Sequence, residues 1–315
     1  MEARSARVRA QAKVNLELRV LGRRSDGYHE LRTVFHTISL ADTIDIRFTP
    51  GRRTAISVTA DVEIPGSNIM ERAAALALEA MRAAGRVEMR LKKRIPMGGG
   101  LGGGSSDAAA VLLALPALAG KVLEMDKRIE LAAAVGSDVP FFLLGGAAVG
   151  LGRGTEIYPL SSLPAAWGVV VAPGIHVSTA EAYRDLARPE LTSSAAQSII
   201  SVFQSSVWDR GRSSSESLGG NDFEAVVFAR YPRLRALKRQ LERLGASPAM
   251  LSGSGSALFG VFRGREEARR ACEVLGKELA LPVRLVTRAG YRARWWRELG
   301  VHVAERVWPP QSRYA

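Results

Sequence analysis

Six of the seven residues from position 98 to 104 are glycine, and the run stands between two patterned segments. Before it, Val87, Met89 and Leu91 alternate as in a strand; after it, an apolar helix-like stretch covers residues 108–115. Glycine backbone is costly to order and has no side chain to pack. Such a run suits a chain that must wrap closely around something. Between a strand and a helix N-terminus it aims several N–H groups and the positive end of the helix dipole at one point, which makes an anion site suited to phosphates. Ser105 and Ser106 add hydroxyl donors, or one of them can ligate Mg²⁺. The competing reading, a flexible linker, sits poorly with the abrupt apolar helix that follows.

The loop is not of the Walker type, because no G-x-x-x-x-G-K-[ST] pattern is present. Gly98-x-Gly100-x-x-Gly103 matches a dinucleotide fingerprint, but Lys92-Lys93-Arg94-Ile95-Pro96 is not the apolar first strand of a Rossmann unit.

A length of 315 residues allows two ordinary domains, and 47% hydrophobic with 24% charged residues is the balance of a soluble globular protein. No uncharged apolar run reaches the roughly 18 residues needed to cross a bilayer; residues 139–152 come nearest and are interrupted by glycines. The basic N-terminus lacks an apolar core, so no secretory signal is expected. Cys272 is the sole cysteine, which excludes an intrachain disulfide and a cysteine metal cluster. A cytoplasmic location is the expectation. The net charge of +13 admits nucleic acid as a partner, although aromatics are only 6% and the arginines are dispersed. A polyanionic small substrate accounts for the charge equally well.

Residues 8–20 alternate as a strand, with Lys13, Asn15, Glu17 and Arg19 on its polar face. A turn at 23–27 leads to Tyr28-His29-Glu30-Leu31, and Ile44, Ile46 and Phe48 mark another strand. Ser67 or Asn68 caps a helix expected to run to Ala84, with Gly85 as its stop. A further helix is expected over 125–135. The second half reads as a strand at 168–172, a capping box Ser178-Thr179-Ala180-Glu181, and a serine-rich loop or insert over 192–220. Helix 233–244, strands 249–251 and 257–262, helix 265–279 and strand 283–287 follow, an order that suggests a split βαβ sandwich. The last 25 or so residues, with Trp295, Trp296 and Trp308, are expected to pack as an extension.

The loop Pro96-Met97-Gly98-Gly99-Gly100-Leu101-Gly102-Gly103-Gly104-Ser105-Ser106 resembles the ATP loop of the galactokinase–homoserine kinase–mevalonate kinase–phosphomevalonate kinase superfamily. Within it, Ala12-Lys13-Val14-Asn15-Leu16, Asp26-Gly27-Tyr28-His29-Glu30-Leu31 and Gly136-Ser137-Asp138-Val139-Pro140-Phe141-Phe142 are together similar to the kinases of 4-diphosphocytidyl-2-C-methyl-D-erythritol. Leu251-Ser252-Gly253-Ser254-Gly255-Ser256 is similar to the superfamily's C-terminal glycine motif. The resemblance spans residues 8–288.

The resemblance implies an α+β fold of two domains, an N-terminal ribosomal-protein-S5-like domain over 1–160 and a C-terminal ferredoxin-like domain over 161–290, with an extension over 291–315. It implies transfer of the γ-phosphate of ATP, with Mg²⁺, to the 2-hydroxyl of the cytidyl methylerythritol substrate, a step of isoprenoid precursor synthesis. Lys13 and Asp138 take the place of the catalytic pair: a carboxylate beside an ammonium can deprotonate a hydroxyl while the cation offsets phosphoryl charge. Without the resemblance, the competing readings are a helix-end or turn aspartate for Asp138, the lesser one there, and a solvated strand residue for Lys13, of equal standing there. Tyr28 and His29 take the place of the cytidine-recognition residues, with Asn15, Phe35 and Tyr183 as further substrate contacts. Residues 96–106 and Asn68 take the nucleotide side; capping accounts for Asn68 as well. The implied partner is a small cytidine diphosphate molecule, with neither nucleic acid nor membrane, and the assembly a monomer or homodimer. The serine-rich stretch and the residues after 288 have no counterpart in the resemblance. A kinase for another alcohol, a non-catalytic sensor on the same fold and a nucleic-acid-binding protein are the rival readings.

Overall fold

The computed structural model describes residues 2–64, 66–161, 166–189, 220–276 and 280–315. The serine-rich stretch expected as a loop falls, over 192–219, outside the described residues. Two long strands open the chain, β1 (Arg4–Arg23) and β2 (His29–Pro50), paired antiparallel from Arg4↔Phe48 to Arg23↔His29. Their register slips three times, between Gln11 and Lys13, Asn15 and Glu17, and Val20 and Gly22. Such bulges bend a strand and re-aim its side chains.

The pair is completed into a six-stranded sheet by β3 (Ala55–Ala60), β4 (Gly85–Lys92), β5 (Ala147–Gly152) and β6 (Glu156–Pro159). Four helices cover one face: α1 (Ile69–Ala80), α2 (Gly103–Ala119), α3 (Met125–Val135) and α4 (Val139–Leu144). Every residue of α2 from 106 to 118 is buried, which makes it the central helix. One expectation shifts here, and one stretch resolves. The helix capped by Asn68 stops at Ala80, because Arg82 turns left-handed (φ 48°) and Ala83 N–H returns to the Leu78 carbonyl. The apolar stretch 139–152 is not one element: Gly145 and Gly146, at φ 67° and 75°, split it into α4 and β5.

The second sheet contains β7 (Trp167–Val171), β8 (Ala249–Leu251), β9 (Leu258–Phe262) and β10 (Ala280–Arg284) in the antiparallel order β10-β7-β9-β8. That is the split βαβ arrangement the element order suggested. Helices α5 (Thr179–Leu186), α6 (Phe223–Arg230), α7 (Pro232–Arg243) and α8 (Arg265–Val274) pack with one face of it, joined by Leu18 and Val20 from β1. Its other face meets the first sheet through Val14, Leu16 and Leu101 against Val170, Met250 and Phe259. The chain then returns: α9 (Arg288–Leu299) inserts Tyr291, Trp295 and Leu299 into the first core. Among the described residues, no helix is long and apolar enough to cross a membrane.

Candidate active site

Lys13, Asn15 and Glu17 sit on the strand face opposite the aliphatic one, yet all three are buried. The face is polar because it forms the floor of a cleft. Lys13 Nζ donates to Asn15 Oδ1 at 2.8 Å and lies 3.3 Å from Asp138 Oδ2. Asn15 Nδ2 in turn donates to Thr33 Oγ1 at 2.7 Å, and the Thr33 hydroxyl donates to the Glu17 carbonyl at 2.7 Å. This chain fixes the amide so that its oxygen faces the ammonium. The Lys13 side chain is only 4% exposed, whereas that of Asp138 is 33% exposed and reaches the cleft. Asp138 precedes α4 without capping it, so its carboxylate remains available to Lys13.

The glycine run forms a partition. Gly98, Gly100 and Gly102 are all left-handed (φ 71°, 79° and 69°), and α2 starts directly after them. A Cβ on Gly102 would stand 2.8 Å from the Phe142 ring and 3.1 Å from Lys13 Cγ. The second glycine motif closes on the first: a Cβ on Gly100 would meet the Ser252 carbonyl oxygen at 2.1 Å, Ala257 N–H donates to Gly99 O at 3.1 Å, and Ser252 Oγ donates to Gly100 O at 3.1 Å. On one side lies a cavity of about 290 Å³ lined by residues 96–104 with Asn68, Lys93 and Asp107. On the other lies a cleft of about 1110 Å³. Gly100 and Gly102 line both.

Within the loop the residues divide. Pro96, Met97, Gly98, Gly99, Gly103 and Gly104 line the smaller cavity, while Leu101 turns its side chain into the core and gives its carbonyl to Lys13 N–H. Ser105 faces the cleft beside Ser137 and Asp138. Ser106 is buried and donates its hydroxyl to the Gln11 carbonyl at 2.7 Å, so that hydroxyl is committed to packing α2 on β1. Asn68 caps α1, accepting from Met70 N–H at 2.9 Å, and also borders the cavity.

The larger cleft collects Asn15, Tyr28, His29, Phe35 and Tyr183. Tyr28 is 54% exposed, with the Arg153 guanidinium 4.4 Å from its ring centre. His29 stacks on Tyr183 with centroids 4.7 Å apart, so one face of Tyr183 is covered by imidazole. Phe223 meets Tyr183 edge-on. Burial, then the charge of Asp138, push the Tyr183 hydroxyl above its ordinary pKa. Burial, then Arg23, hold the His29 imidazole below its own. Phe35 packs against Phe141 and under Lys13, a wall rather than a free stacking platform.

Sequence reasoning passed over Lys93. It pairs with Asp42 and with Asp107, 2.9 Å away, at the back of the smaller cavity. Burial pushes the Asp107 carboxyl up to about 8, and its Oδ1 has no protein partner. The only signal was a lysine pair ahead of the loop. Arg23, Arg153 and Arg184, which line the cleft, were likewise lost among 44 basic residues.

Family descriptions match the chain twice, GHMP kinases N terminal domain over residues 68–146 and GHMP kinases C terminal over residues 202–281. The chain is 59% identical over 314 residues to a 4-diphosphocytidyl-2-C-methyl-D-erythritol kinase from Solibacter usitatus, covering 99% of this chain and 98% of that protein. It is 40% identical to the kinase of the same name from Geobacter sulfurreducens, covering 85% and 94% respectively. A crystal structure of a 4-(cytidine 5'-diphospho)-2C-methyl-D-erythritol kinase superposes with a TM-score of 0.73 at 38% identity, over 89% of this chain and 98% of that one. Homoserine kinase from Cytophaga hutchinsonii shares the fold, with a TM-score of 0.69 at 19% identity over 90% and 95%.

Proposed function

The chain belongs to the 4-diphosphocytidyl-2-C-methyl-D-erythritol kinases within the GHMP kinases, and from that premise we propose how its own residues carry out the transfer of the ATP γ-phosphoryl group to the substrate's 2-hydroxyl. The observation that carries the reading is the Lys13–Asp138 pair, 3.3 Å apart beside a glycine partition that borders two cavities. ATP lies in the smaller cavity, with Lys93 and Asp107 at its back and its phosphates passing over Gly100 and Gly102. The cytidyl substrate fills the larger cleft, its base near Tyr28 and His29 and its diphosphate facing Arg23, Arg153 and Arg184.

The substrate oxygen attacks the γ-phosphorus as the bond from that phosphorus to the β-phosphate oxygen breaks. Asp138 accepts the hydroxyl proton, and ADP leaves. Lys13 offsets charge on the transferring group, and Asn15 orients Lys13. Catalysis is then positioning and electrostatics, without a covalent enzyme intermediate. Among the described residues, no three His, Cys, Asp or Glu side chains form a metal cage. An Mg²⁺ ion brought by the nucleotide needs no such cage, since it keeps water and uses one or two protein ligands. Ser105, which lines the cleft beside Ser137 and Asp138, would give such an ion an oxygen donor, and the ion would neutralise phosphate charge. The same reading takes the cytoplasm as the place of work and a monomer or homodimer as the assembly.

The test is ADP release with the cytidyl substrate, and with homoserine and mevalonate as controls, for the native chain and Asp138→Asn. The near-isosteric change is expected to lower kcat by about 10²–10⁴-fold, with both KM values little altered. Retention of more than about a tenth of kcat removes the general-base role.

A further inference from the structure

Helix α4 has six residues, too few to hold itself, and the carbonyls at its C-terminus need partners from elsewhere. Phe141 O accepts from Gly145 N–H within the turn. The next two carbonyls are taken by side chains from the far end of the chain. Tyr291 Oη–H donates to Phe142 O, and Trp308 Nε1–H donates to Leu143 O at 2.9 Å. We propose that Tyr291 and Trp308 are positioning residues for catalysis: they hold α4 by its last carbonyls and so fix Asp138, at its other end, against Lys13. The proposal rests on the reading of Asp138 as the proton acceptor.

The receiving surface is shaped for these side chains. A Cβ on Gly145 would stand 2.3 Å from the Tyr291 ring, and one on Gly146 would stand 2.7 Å from the Arg288 backbone nitrogen. Both glycines are left-handed, so a side chain there is opposed by strain as well as by space. Arg288 also donates to the Ala147 and Leu160 carbonyls on either side of the junction. Tyr291 is fully buried, and burial raises its hydroxyl pKa, which keeps the proton it donates. Trp308 is seated edge-on to Tyr291 and to Trp296. Beyond it, Ser312 Oγ donates to Ala117 O at 2.9 Å, and the Arg4 guanidinium lies 3.9 Å from the Tyr314 ring centre, fixing the segment to the first core.

The same helix touches the partition. The Phe142 ring occupies the space into which a Gly102 side chain would project, and Phe141 packs on Phe35. A small shift of α4 therefore displaces the carboxylate and presses on the loop together. Misplacement by 1 Å can cost about 10²-fold in rate. Residues 291 and 308 lie beyond the stretches that match the GHMP descriptions, 68–146 and 202–281, so no matched motif assigns them this part.

Tyr291→Phe and Trp308→Phe each delete one donor and keep an aromatic ring. In the full chain, each is expected to lower kcat roughly tenfold with both KM values within about twofold. In the Asp138→Asn background the same changes are expected to cost clearly less, because the group being positioned is gone and only the pressure on the loop remains. An equal fold-loss in both backgrounds, or no loss in the native one, overturns the proposal. Failure of the general-base reading shows separately, as high activity of Asp138→Asn alone. Should Tyr291→Phe not fold, Trp308→Phe, half-buried with its N–H directed to Leu143, carries the same test.

Discussion

The two cavities flanking the glycine partition are made of different material. The nucleotide side is backbone over most of its wall, residues 96–104, with Ser67, Asn68, Lys93 and Asp107 as its polar side chains. The substrate side, away from the shared Gly100 and Gly102, is mostly side chain, with Tyr28, His29, Tyr183 and four arginines, Arg23, Arg153, Arg184 and Arg188, among its lining. A backbone site tolerates no added atoms at its close contacts, because the walls are main chain that cannot rotate away. A side-chain site can lose one group and keep its shape. The first should fail as a unit, and the second should fail one ligand at a time.

The largest effect is expected at Gly100→Ala. The left-handed conformation costs a non-glycine residue about 1–2 kcal/mol. The new methyl also stands 2.1 Å from the Ser252 carbonyl oxygen, so the two glycine motifs must separate. Because Gly100 borders both cavities, kcat/KM should fall more than tenfold with respect to both ATP and the cytidyl substrate, with a lower melting temperature. Steady-state rates and a melting curve decide it. A folded variant with native ATP affinity would show that the loop is not the phosphate site.

Tyr28→Ala should behave as the opposite kind of change. Tyr28 is 54% exposed, so its removal should leave stability within about 0.5 kcal/mol. An aromatic stack on a base is worth about 1–3 kcal/mol, so KM for the cytidyl substrate should rise by about 5–150-fold while KM for ATP stays put. A shift in the ATP constant instead would place Tyr28 on the wrong ligand.

The same difference in material decides what was legible in the sequence. A backbone site announces itself as composition: six glycines in seven positions between a strand and a helix can be read without neighbours. The strands with strong alternation and the helices with clean caps, such as Asn68 and Ser178, were legible for the same local reason. Among the elements passed over, β3, α4, β5, β6 and α6 are short, and α4 and β5 merge into one apolar run until Gly145 and Gly146 break it; α9, of 12 residues, was read only as part of a packed extension. On the substrate side, spacing alone left Lys13 indistinguishable from a solvated strand lysine. It is buried because Asp138, Phe35 and the glycine loop at Gly102 close over it. Ser105 and Ser106 show the limit within the loop itself. Adjacent and identical in type, they part because the helical turn sends one hydroxyl to the cleft and the other to Gln11. The tail was read as packing, but that it reaches the helix behind Asp138 depends on contacts across 149 and 165 positions.

The smallest effect is a pH dependence confined to one side of the partition. His29 is partly buried, and burial followed by the positive charge of Arg23 lowers its pKa from the ordinary value of about 6.5. It is therefore neutral at pH 7, able to donate from one ring nitrogen and accept at the other. Protonation removes the acceptor, so KM for the cytidyl substrate should rise on the acid side, beginning below the ordinary imidazole value. The sign follows from both causes, which disfavour the cation and move the onset to lower pH. Arg23→Gln removes the second cause, so its onset should move back up towards 6.5 while the burial contribution remains. KM for ATP should show neither limb, since His29 lines the larger cleft and not the smaller cavity. An acid limb that appears equally in both constants, or that survives in His29→Gln, would assign the titration to a group shared by the two sites and would erase the division between them.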